Sequence, residues 1–99
     1  MADPISSLEI KRAATLPAQE VCEEVLSIGP QGELVWEHYD AGPSTKAVYG
    51  DYDHESTLWV EARYKDTLLL HLIADHFKDR DTFSEWLRRK DIPAQAWAG

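Results

Sequence analysis

Apolar and polar positions change period along this chain, from alternation in the first two thirds to helical spacing in the last. Val21 to Ile28 and Glu33 to Asp40 are short runs rich in strand formers, separated by Gly29-Pro30-Gln31-Gly32. Two such runs across a four-residue Gly/Pro loop predict a β-hairpin. Val21, Val25 and Ile28 also fit a helical repeat, so a helix over residues 18–27 is the competing reading. From Glu55 to Arg63 the alternation is cleaner. Leu58, Val60 and Ala62 fall on one side and Thr57, Trp59, Glu61 and Arg63 on the other, as in a half-buried strand. Ser7 to Ala13 is a further strand candidate whose sides are less cleanly divided. Ala41-Gly42-Pro43-Ser44 and Gly50-Asp51 read as punctuation around a loop over residues 41–54.

Beyond residue 65 the period lengthens. Asp66 is placed to cap a helix whose apolar positions are Leu69, Leu70, Leu72, Ile73 and Phe77. A second helix follows, with Thr82-Phe83-Ser84-Glu85 as its capping box and Phe83, Trp86 and Leu87 as its apolar stripe. Arg88-Arg89-Lys90 complements the dipole in the last turn, and Pro93 prevents continuation. The expected fold is therefore α+β in a single domain over residues 1–99, sheet-forming over 7–64 and helical over 66–91. An antiparallel sheet of three or four strands would carry two C-terminal helices packed on one face.

Charge sharpens this picture. The 99 residues hold 18 Asp and Glu against 10 Lys and Arg, a formal charge of −8. That balance argues against direct nucleic-acid binding, which rests on cations displacing counterions from phosphates. The excess is local: residues 20–61 contain ten acids and only Lys46, a net −9, and the remainder is close to neutral. Six of the ten aromatic residues lie in the overlapping stretch 36–64.

Few motifs carry chemistry. Cys22 is the only cysteine, so an intrachain disulfide is excluded. Neither a signal peptide nor an apolar stretch of membrane-spanning length is visible, and a cytoplasmic location is the expectation. Asp51-Tyr52-Asp53-His54-Glu55 is the densest set of ligand-type side chains, but it lacks the glycine and distal glutamate of a calcium loop. His71 and Asp75 share a helix face without the H-E-x-x-H pattern of zinc hydrolases. The four histidines form no nucleophile–base arrangement recognisable from their order, and no phosphate-binding glycine loop occurs. No catalytic residue, metal or cofactor is assigned on these grounds.

Tyr39-Asp40-Ala41-Gly42-Pro43, then Gly50-Asp51-Tyr52-Asp53-His54-Glu55, then Lys65-Asp66-Thr67-Leu68-Leu69-Leu70 resemble a pattern in small bacterial and phage proteins. The resemblance covers roughly residues 20–95. It implies a cytosolic bacterial or phage-encoded protein and brings no catalytic residues with it.

The leading expectation is a non-enzymatic protein that binds another macromolecule through an acidic-aromatic face. That face would comprise Trp36, Asp40, Tyr52, Asp53, Glu55, Trp59 and Glu61. Its partner would be a protein with a basic surface, and an inhibitor or antitoxin-like role at a nucleic-acid-binding site is one form of this. No membrane partner is expected, and a homodimer through an aromatic sheet face is the other assembly such a pattern allows. The alternative is a small-ligand or metal-binding domain using the Asp51–Glu55 segment with His71 or His76.

Overall fold

A computed structural model describes residues 3–14, 20–51 and 53–98. The fold is α+β, a four-stranded antiparallel sheet with C-terminal helices. Strands β1 (Ser7–Ala14), β2 (Val21–Ile28), β3 (Leu34–Ala41) and β4 (Asp53–Val60) lie side by side in chain order. Helix α1 (Pro43–Tyr49) connects β3 to β4, and a 3₁₀ turn (Ala62–Tyr64) leads into α2 (Lys65–His76) and α3 (Arg80–Arg89). The chain divides into two compact units, one of Ile5–Lys65 and the other built mainly of Asp66–Gly99.

In the sheet unit, residues 21–28 pair with residues 34–41 as the hairpin reading expects, and the helical alternative falls over residues 21–27, its residues 18 and 19 lying outside the described ones. The turn has Pro30 in its second place and Gly32 in its fourth, the positions where a fixed φ and a left-handed φ are favoured. Gly32 has φ 82°. Its N–H donates to the Gly29 carbonyl at 3.0 Å, and the Gly29 N–H donates to the Glu33 carbonyl at 2.8 Å. The uneven alternation of β1 has a structural cause. Glu9 pairs with Val25 and Lys11 with Glu24, so Ile10 is the extra residue of a β-bulge.

Residues 43–49 form a helix where the sequence reads as loop. Pro43 begins it and Gly50, at φ 88°, ends it, with the Gly50 N–H donating to Lys46 O. That is the ordinary asymmetry of proline at helix starts and glycine at helix ends. Gly42 supplies no side chain to cap the first turn, and Glu20 does so from outside, accepting from the Ser44 N–H at 2.7 Å. Helix α1 packs against β3 and β4 and buries Thr45.

Helix α2 begins one residue before the expected 66, so Asp66 lies inside its first turn rather than at its cap. The capping box of α3 is also shifted. Asp79 is the N-cap and accepts from the Thr82 N–H at 2.8 Å, while Thr82 Oγ1 accepts from the Asp79 N–H at 3.4 Å. Aspartate is at least as good an N-cap as threonine, and starting at Asp79 adds a turn to the helix. Phe77, Phe83 and Trp86 cluster at the corner between α2 and α3, with Phe77 ring centroids 5.0 Å from Phe83 and 5.6 Å from Trp86. The C-terminus of α3 closes in a Schellman motif, Asp91 at φ 57° donating to Arg88 O and Ile92 to Leu87 O. No described helix is long and apolar enough to cross a membrane.

Among the described residues no apolar side chain is fully buried. Order in the sheet unit therefore leans on the backbone ladder and on cross-strand pairs, and order in the helical unit on caps and the aromatic corner. Asp79→Ala removes the N-cap acceptor of α3 and is expected to cost about 1 kcal/mol. Thermal unfolding followed by far-UV circular dichroism checks this, and Asp79→Ser should restore most of the loss.

Candidate functional site

Strand alternation and pairing register together sort the side chains of β2, β3 and β4 onto two faces. Leu26 lies opposite Trp36, and Trp36 opposite Leu58; Glu24, His38 and Ser56 form the next rank, and Cys22, Asp40 and His54 the third. These nine make one face. The other carries Ser27, Val35 and Trp59, then Val25, Glu37 and Thr57, then Glu23, Tyr39 and Glu55, with Asp53 at the end of β4.

The seven residues singled out in the sequence divide between these faces. Trp36 and Asp40 belong to the first. Asp53, Glu55 and Trp59 belong to the second, and Glu61 follows the end of β4, where it pairs with Arg63 at 2.8 Å. Tyr52 lies outside the described residues. Both tryptophans are exposed, Trp36 to 40% and Trp59 to 64%. Alternation along β4 also separates His54 from Asp53 and Glu55, so those three do not converge as one ligand set.

The first face holds a connected polar cluster. Trp36 Nε1–H donates to Glu24 Oε1 at 3.3 Å, and the same oxygen lies 3.1 Å from His38 Nδ1. His38 Nε2 lies 2.7 Å from Asp40 Oδ2. With a carboxylate at each ring nitrogen, the imidazolium can donate twice, whereas the neutral ring can donate only once. His38 accordingly has its pKa raised above the ordinary 6.5, chiefly by Asp40 and then by Glu24, with partial burial opposing. Asp40 is lowered from 3.8, first by its hydrogen bond to His38, with contributions from the Cys22 thiol and the charges of His38 and His54. Beside the cluster, His54 stacks on Tyr49 at 3.8 Å with the rings 2° from parallel.

No family model, curated protein or solved structure matches the chain.

What sequence order did not disclose was the meeting of Cys22, His38 and Asp40. A signal for it exists: Cys22 and Glu24, like His38 and Asp40, are two apart on strands, and the turn fixes which pair opposes which. The second face shows a different character. Glu23, Glu37 and Glu55 line a groove of about 340 Å³ with Val25, Tyr39 and Thr57.

The His38–Asp40 pair gives a pH signature. A raised histidine pKa adds stability that is complete below the unfolded value of 6.5 and is lost as pH rises through the folded value. A lowered aspartate pKa adds stability above 3.8 that is lost as pH falls through the folded value. The contribution of this one pair is therefore greatest between these limits and should amount to at most about 1 kcal/mol, as for other half-exposed pairs. Titration of the His38 ring proton by NMR is expected to give a midpoint above 6.5 that moves down in Asp40→Asn.

Proposed function

We propose that this protein acts by binding another protein through its second face, with a partner surface rich in lysine and arginine, in the cytoplasm. One observation carries the reading. Strands β2, β3 and β4 contain six acids and no Lys or Arg, and four of those acids (Glu23, Glu37, Asp53 and Glu55) share a face with exposed Trp59 and with Tyr39. On the first face Glu24 and Asp40 both contact His38.

The division of labour follows from general physics. Clustered carboxylates raise the rate of encounter with a basic surface and suppress acidic competitors. A tryptophan or tyrosine seated in a partner pocket contributes residence time, since aromatic anchors dominate hot spots. Occupation of a nucleic-acid-binding surface is one form such binding takes, with carboxylates standing where phosphates would lie.

Capture from the native cell on the immobilised chain, eluted along a salt gradient, tests the reading. The retained protein is expected to be basic and to elute as salt rises. The Asp53→Lys/Glu55→Lys variant should bind it at least tenfold more weakly, about 1.4 kcal/mol. Trp59→Ala should cost about 2 kcal/mol, roughly thirtyfold in Kd, if the indole is a hot-spot anchor. A partner held equally well at high salt and by the charge-reversed variant overturns the proposal.

A further inference from the structure

The first face supports a separate inference. A Cys22 Sγ, a His38 ring nitrogen and an Asp40 carboxylate oxygen all lie within 4.8 Å of one another. Cys22 and Asp40 are directly opposed across the β2–β3 ladder, and His38 is two residues before Asp40 on the same face. A carboxylate also stands behind the histidine. Glu24 Oε1 lies 3.1 Å from His38 Nδ1, on the side of the ring away from Asp40, and Trp36 Nε1–H holds that same oxygen at 3.3 Å. An imidazole that binds a metal through one nitrogen donates the N–H of the other to an acceptor, most often a carboxylate or a carbonyl, which fixes its tautomer and orientation. Glu24 occupies that place, and Nε2 is turned toward Asp40.

We propose that Cys22, His38 and Asp40 bind a divalent transition-metal ion, zinc by preference, with Glu24 as the positioning carboxylate and water completing the coordination. Sulfur, nitrogen and carboxylate oxygen are the donor types of zinc sites, and thiolate with imidazole disfavours calcium and magnesium. Tetrahedral bonds of about 2.0–2.3 Å place ligand atoms about 3.4 Å apart. His38 and Asp40, now 2.7 Å apart, separate slightly to admit the ion, and Cys22 closes by rotation about χ1. The thiol loses its proton on binding, as does His38 Nε2 when protonated; both protons go to solvent, while Nδ1 keeps its proton and donates it in a hydrogen bond to Glu24. His54, opposite Asp40 on β4, lies beside the site.

Cobalt(II) titration of the full chain under reducing conditions tests this. The expected result is one ion per chain, a thiolate-to-cobalt charge-transfer band, visible bands of four-coordinate cobalt, and loss of both on adding zinc. Cys22→Ser should remove the charge-transfer band. Glu24→Gln should keep the stoichiometry and weaken binding about 10–100-fold. Asp53→Asn/Glu55→Gln, on the opposite face, should leave the titration unchanged. A second readout needs no variant: one equivalent of zinc should slow alkylation of Cys22 in the native chain. A wild-type titration without a thiolate band, or alkylation indifferent to zinc, overturns the proposal. So does a band that survives in Cys22→Ser or falls with the Asp53/Glu55 variant. The site and the partner-binding face are on opposite sides of the sheet, so either can fail alone.

Discussion

The pairing register of β2 with β3 decides what each face of this sheet is. Period-two alternation means that a slip of one residue would move every side chain of a strand to the other side. The turn at residues 29–32 prevents that slip. Its backbone bonds close a loop of defined length, and Gly32 takes the left-handed φ of 82° at low steric cost. Once that register stands, Cys22 must meet Asp40, Glu24 must meet His38, and Leu26 must meet Trp36. The β3–β4 ladder extends the ranks to His54, Ser56 and Leu58. The polar cluster is thus a consequence of one turn, assembled from residues 12 to 18 positions apart.

The same register divides the acidic charge into two kinds. On one face Glu24 and Asp40 flank His38, one at each ring nitrogen, and their carboxylates favour its protonated form. On the other, Glu37, Asp53 and Glu55 stand with Glu23, Tyr39 and Trp59 in a stretch of three strands without lysine or arginine. A single net charge of −8 describes neither face. One side gathers its polar groups around the His38 ring, and the other carries the exposed Trp59.

Much of the architecture was readable from pattern because the signals are local. The hairpin announces itself through Gly29-Pro30-Gln31-Gly32, and β4 through the alternation from Thr57 to Val60. Helix α1 was hidden because its seven residues are too few for an apolar period to show. Pro43 and Gly50 were its only markers, and both also suit a loop. The start of α3 was misplaced because Asp79 and Thr82 are both good caps, and only the bonds they form decide between them. The candidate site was less legible still. Choosing Trp36 and Asp40 together with Asp53, Glu55 and Trp59 treated nearness in sequence as nearness on a face, and alternation does not respect that.

Stability and binding are connected by the scarcity of enclosed apolar groups. With no apolar side chain fully buried among the described residues, cross-strand contacts carry an unusual share of the order in the sheet unit. An ion held by Cys22 on β2 and by His38 and Asp40 on β3 would tie two strands at their open end, far from the turn that joins them. Such a tie stabilises the folded state by mass action, by about 2.7 kcal/mol at a free ion concentration one hundred times Kd. In a sheet held mainly by its ladder, that increment would bear first on the β2–β3 pairing. The two faces, chemically unlike and oppositely directed, are mechanically one object because every rank on each is fixed by the same backbone bonds.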